Sequence, residues 1–144
     1  MFYIGFKTGP RTDEEGWRHA IGGLELGSDS DSFAADLSLW SLKDYEAQWR
    51  QGIARLAAGA ESSALITSYA GPAAPFHFMW PMWRTGNQVV FHEHLVPGEA
   101  IQNSDVAEQF YAAVGERRSR NDDGEPISEW IVPFSDILAF LASS

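Results

Sequence analysis

The segment SLKDYEAQWRQGIARLAAG (residues 41–59) decides the architecture of this chain. Leu42, Tyr45, Trp49, Ile53 and Leu56 recur at intervals of three and four, so a helix gathers them into one apolar stripe. Ser41 is a good N-cap, and Asp44 follows it at the spacing of a capping box. Gly59 supplies the stop. The pattern predicts a helix over residues 41–58, with the aromatic members of the stripe turned to the core.

Strand-like segments lie on either side of this helix. Residues 1–7 read as a first strand and residues 8–13 as a turn cluster. Residues 17–26 suit a second strand interrupted at Gly22-Gly23, where a bulge fits. A polar loop is expected over 27–32 and a short strand over 33–37. After the helix, residues 63–69 are rich in β-compatible types. Residues 76–84 alternate Phe76, Phe78, Trp80 and Met82 against His77, Met79, Pro81 and Trp83. Pro81 has no N–H for a ladder bond, which predicts an edge strand or a bulge there. Thr85-Gly86-Asn87 makes a tight turn into residues 88–95. A short helix is expected over 106–114, capped by Ser104 or Asp105. A charged loop follows over 117–125, then a strand over 126–132 and a closing helix over 135–141 capped by Ser135. Strands around one long helix imply a single α+β domain over residues 1–144, with antiparallel sheet packed on that helix.

A chain of 144 residues buries enough surface for one core without staples. Six Trp, nine Phe and four Tyr supply much of that core, and the remaining rings suit a partner surface. The absence of cysteine removes disulfides, thiolate nucleophiles and Cys-based zinc sites. The opening MFYIGFK lacks the features of a signal peptide, and no run approaches the roughly 18 apolar residues of a membrane span. A cytoplasmic protein is the expectation. With 20 acidic and 10 basic residues, the formal net charge is −10. Such a surface repels nucleic acid and anionic membranes and attracts basic proteins. Residues 25–36, 93–116 and 122–136 carry carboxylates and no Lys or Arg.

The motifs that carry chemistry are sparse. His92-Glu93-His94 puts two imidazoles on one face of a strand, a spacing some metal sites use, but no third ligand is recognisable. A surface histidine pair is the plainer reading, so neither metal nor cofactor is expected. There is no Gly-x-Ser-x-Gly elbow, and Gly22-Gly23 has neither the Walker lysine nor the Rossmann spacing. The acidic clusters fall in turns, which seldom give the shelter that separates catalytic carboxylates in pKa. Arg117, Arg118 and Arg120 form the one basic cluster, and Asp122, Asp123 and Glu125 offset it, so no nucleic-acid stripe exists. These features point to a binding protein and away from an enzyme.

Four segments carry a resemblance. LSLWSLKDY (residues 37–45) with Trp49 beyond it, SALITSY (63–69), FMWPMW (78–83) with its hairpin partner, and EPISEW (125–130) are similar in order and spacing to CdiI immunity proteins. The likeness is to the enterobacterial type whose cognate toxins cleave small-subunit ribosomal RNA. It spans about residues 33–140, and the first 32 residues match less well. The resemblance implies a stoichiometric, one-to-one inhibitor of the C-terminal toxin domain of a CdiA protein, acting in the producing cell's cytosol. It also implies an α+β fold with antiparallel sheets like those of Whirly nucleic-acid-binding proteins, without their binding function. The shared motifs read as framework, whereas the toxin-contacting surface of immunity families is the variable part. The toxin's identity and activity therefore do not carry over. Acidity agrees with the resemblance, because nucleases that act on polyanions are usually basic. Asp29, Asp31, Glu93, Glu99, Asp122 and Asp123 are the candidate toxin contacts. The alternative is an acidic adaptor or antitoxin-like module with a different partner.

Overall fold

Strands β1 (Phe2–Phe6) and β3 (Arg18–Leu26) pair antiparallel in the computed structural model, which describes residues 1–143. The short β2 (Arg11–Thr12) continues along the same side of β3, and β4 (Asp29–Asp36) takes the other side. Leu26 pairs with Asp29, so only Gly27 and Ser28 turn this hairpin, and Gly27 has the positive φ that such a turn requires. The polar loop expected over 27–32 is therefore strand from Asp29 onward. Polar side chains are tolerated there because β4 is an edge strand with its outer side open. The bulge expected at Gly22-Gly23 is also absent, and the register runs unbroken through both glycines. Gly22 serves packing instead. The Phe33 ring lies across it, and a Cβ at position 22 would come within 2.3 Å of that ring.

Helix α1 (Leu42–Ala57) begins with the expected capping box between Ser41 and Asp44. It buries Tyr45, Trp49, Ile53 and Leu56 of the stripe, and with them Gln48 and Gly52. The second sheet contains β5 (Ser62–Ser68), β6 (Phe76–Thr85), β7 (Gln88–Phe91), β8 (His94–Pro97) and β9 (Trp130–Pro133). β6 is flanked by β5 on one side and by β7 and β8 on the other, so Pro81 is not on an edge strand. Nor is it bulged. Met82 pairs with Phe91 and Met79 with His94 in one continuous register, and the ladder lapses only at His92 and Glu93. There His92 N–H donates to the Pro81 carbonyl (3.1 Å), while proline returns no bond. The missing donor thus splits one long partner strand into β7 and β8.

Three smaller expectations also change. Helix α2 (Val106–Ala112) starts after Asp105, whose backbone is left-handed and whose side chain makes no cap bond. Gln109 reaches back instead, accepting from Gln102 N–H and donating to the Ser104 carbonyl. β9 is shorter than predicted, because Pro126 bridges Arg120 and Glu129 is drawn towards Arg117 before the strand begins. Helix α3 (Phe134–Ser143) encloses Ser135, so that residue is not its cap.

One apolar core joins the layers. Phe2 stacks on Phe91 across the sheets (5.5 Å), Phe6 meets Trp49 of α1 (5.0 Å), and Trp80 meets Trp130 (5.1 Å). Beside β5, α1 takes the place of a neighbouring strand. Gln48 donates to the Ala64 carbonyl (2.9 Å) and accepts from Ile66 N–H (2.7 Å), and Trp49 Nε1 donates to the Ile66 carbonyl (2.7 Å). Gly52 permits this approach, since a Cβ there would lie 2.4 Å from the Ala64 carbonyl oxygen. Gln48→Met keeps the side chain's length but strips two buried backbone groups of their partner. It should lower stability by about 2–6 kcal/mol, at roughly 1–3 kcal/mol for each of the two orphaned groups. A shift in the urea midpoint at unchanged slope checks this, and a loss below about 0.5 kcal/mol would refute the surrogate-strand role.

Candidate functional site

The histidine pair was the first candidate for chemistry. His92 and His94 lie on one face of the second sheet with ring centroids 5.6 Å apart. His92 is 1% exposed, under the edge of the Trp83 ring. Its Nε2 is bonded to Glu129 Oε2 (2.7 Å), and Arg117 grips both oxygens of the same carboxylate (2.7 and 2.8 Å). These charge-assisted bonds, Arg117's foremost, hold the Glu129 carboxyl down to about 2, against the opposing effect of its burial. Burial, and then the neighbouring His92, lower the His94 pKa. The arrangement is a tether that ties the β7–β8 connection and the 117 loop to the start of β9. His77 is equally enclosed. Ala70 N–H donates to its Nδ1 (3.4 Å), its Nε2 faces the Gly98 carbonyl (3.2 Å), and burial lowers its pKa. Among the described residues no group of three or more His, Asp or Glu side chains is placed to hold a metal ion.

The acidic candidates are scattered over four places. Asp29 and Asp31 belong to β4, on the face that also carries Phe33 and Ala35. Glu93 sits in the lapse between β7 and β8, and Glu99 in the single 3₁₀ turn (Gly98–Ala100) that follows β8. Asp122 and Asp123 occupy a turn organised by the Asn121 side chain, and Asp122 is paired with Arg118 (2.9 Å). Asp31 and Glu93 are the pair that the fold brings together. Glu93's pKa is raised by burial first and by the Asp31 charge second, so the two acids lie close enough to repel. Among the described residues neither is ion-paired with a basic side chain.

Beside them opens a cleft of about 270 Å³, lined by Trp17, Phe33, Thr67, Ser68, Phe78 and Glu93 among others. Trp17 is fixed in its wall. The indole Nε1 donates to Asp36 Oδ2 (2.8 Å), and the ring stacks on His19 at 4.3 Å. Nothing local in the sequence marks Trp17 or Phe78 as site residues. The available signal was the Phe76/Phe78 alternation, which marks a strand with one face on the core but not where the covering layer ends. A wider, shallower groove of about 520 Å³ runs between β1 and α3, lined by Met1, Tyr3, Asp136 and Phe140 among others. Its acid is already compensated, since the Met1 ammonium pairs with Asp136 (2.8 Å).

The family model of the CdiI N-terminal domain matches residues 35–140. The chain belongs to the CdiI family of immunity proteins. Among solved structures, it is similar to a chain of a CdiA-CT/CdiI toxin and immunity complex from Enterobacter cloacae. The identity is 24% and the TM-score 0.88, over 99% of this chain and 97% of that one. No curated protein matches the sequence. Several residues of the segments that carry the resemblance serve the framework. Trp40 packs on Tyr45 (5.1 Å), Trp49 bonds the β5 edge, and Glu129 and Trp130 fasten the 117 loop and β9.

Because the Glu129 carboxyl titrates lower when folded than the usual 4.5, its ionic bonds add stability above about pH 4.5 that is lost as pH falls towards about 2. Glu129→Gln should therefore melt below the wild type near neutral pH and converge with it near pH 2. Melting curves across that range test the point. A gap that does not change with pH would mean that the tether is not ionic.

Proposed function

We propose that this CdiI-family chain is an immunity protein that binds and neutralises the C-terminal toxin domain of a cognate CdiA as a one-to-one complex in the producing cell's cytosol. It acts by occupying a surface of the toxin, not by catalysis, and the toxin is a nuclease. The observation that carries this reading is the family match over residues 35–140. The likeness to a chain of a toxin and immunity complex supports it. The charge supports the nuclease assignment. At −10, the chain complements a basic protein built to hold a polyanion, and long-range attraction speeds their encounter. Asp29, Asp31, Glu93, Glu99, Asp122 and Asp123 contribute to that field and to the toxin-facing surface.

Co-expression with the toxin domain encoded next to this chain, with one partner tagged, is the direct test. Co-elution at one-to-one stoichiometry from viable cells is expected. Toxicity undiminished by the chain, with no complex recovered, would leave the acidic-adaptor reading in its place. The steering contribution is tested separately by charge reversal at Asp29 or Asp123. Either change should slow association several-fold at low ionic strength and have little effect near about 0.5 M salt, where the Debye length is only a few ångströms. Association rates that ignore salt would remove the electrostatic part of the proposal.

A further inference from the structure

We infer that the cleft between the two sheets is the toxin's anchoring point, taking a lysine or arginine carried on a partly apolar segment of the toxin domain. This inference rests on the immunity reading and specifies the surface used.

The cleft exists because the second sheet is longer than the layer that covers it. Along β6, Phe76, Phe78, Trp80 and Met82 share one face, with Pro97, Leu95, Glu93 and Phe91 in register beside them. Trp80, Met82 and Phe91 are buried under the first sheet, whereas Phe76, Phe78 and Leu95 are 52%, 44% and 56% exposed. Phe78 pairs directly with Leu95, so the uncovered residues form one patch and not scattered single side chains. Trp17, 40% exposed, stands at the cleft with its indole already fixed by Asp36 and His19. An aromatic anchor that is ordered beforehand loses little entropy on binding, and such anchors dominate interface energies.

Charge selects the occupant. Two of the three stretches that hold acids and no bases, residues 25–36 and 93–116, contribute Ser32, Phe33, Ala34 and Glu93 to the cleft's lining. Glu93 lines the cleft and feels the charge of Asp31, and among the described residues neither is ion-paired, so an incoming ammonium or guanidinium would relieve that repulsion. A second copy of this chain would bring like charge to the same place, and nucleic acid would bring more of it. A basic protein segment with an apolar neighbour suits both the patch and the carboxylates.

The test compares binding of wild type, Phe78→Arg, Glu93→Lys and Leu138→Arg to the isolated cognate toxin domain by biolayer interferometry, after melting curves show each variant folded. Leu138 is an exposed apolar residue of α3 outside the cleft, so its variant controls for surface charge and lost apolar area. The two cleft variants should each weaken binding by at least about 30-fold, chiefly through faster dissociation, and Leu138→Arg by less than about threefold. Should Phe78→Arg fail to fold, Leu95→Ser removes apolar area from the same patch and gives the same readout. Tight wild-type binding that the cleft variants leave unchanged would overturn the cleft and spare the immunity reading. No binding by the wild type would overturn the immunity reading and the cleft with it. A wild-type dimer that Phe78→Arg converts to monomer would make the cleft a self-contact and defeat the proposal.

Discussion

The hydrogen bonds between α1 and the free edge of β5 hold the rest of the structure in place. An edge strand exposes a row of unpaired N–H and C=O groups, and buried groups of this kind must find partners. Here Gln48 and Trp49 act as a surrogate strand for Ala64 and Ile66, and Ser63 Oγ returns a bond to the Gly52 carbonyl (2.7 Å). One turn earlier, Tyr45 accepts from Tyr69 N–H (2.9 Å) and donates to the Asp36 carbonyl (2.6 Å). Burial pushes the Tyr45 phenol well above its ordinary range, so it stays neutral and can serve both bonds. Because the bonding atoms are side chains at fixed helical spacing, the helix cannot slide along the strand without breaking several bonds together.

The same bonds set the position of the first sheet. Asp36 ends β4, its N–H donates to Ser68 Oγ of β5 (3.1 Å), and its carbonyl is the one that Tyr45 holds. The two sheets are pinned at this corner. Its carboxylate accepts from the Trp17 indole and from Ser38 N–H. A chain of hydrogen bonds therefore runs from the helix, through one aspartate, to an exposed tryptophan at the cleft. The cleft follows from where the sheets are fastened, and its anchor is oriented by the core.

Local chemistry in the sequence announced most of the framework. The three-and-four spacing, Ser41, Asp44 and Gly59 marked α1, and the 85–88 turn marked the β6–β7 hairpin, because each is settled by neighbours along the chain. What failed depended on distant partners. Asp29 to Ser32 look like loop until β3 supplies their pairing. Gly22 looks like a bulge until Phe33 lies over it. Pro81 suggests an edge until the register on both sides of β6 is known, and Gln48 is a surface residue by type until Ala64 and Ile66 require it. The acidic site residues were legible only as composition. Which two of them share a surface depends on the β4 hairpin and on the Pro81 lapse, and neither can be read locally.

That distinction separates acid that steers from acid that recognises. A net charge of −10 attracts any basic protein at range, so it cannot by itself select a partner. Several carboxylates are already committed internally: Glu129 to Arg117 and His92, Asp136 to the Met1 ammonium, and Asp36 to Trp17 and Ser38. Such groups hold the protein together and have little free charge to offer. Glu93 differs because it lines the cleft, feels the Asp31 charge, has no ion pair among the described residues, and sits beside aromatic surface that no layer covers. Uncompensated charge next to uncovered apolar area is a demand that only a partner meets, and both requirements must be met in one place. A basic protein lacking the apolar element would be attracted and released, and one that carries it would be kept.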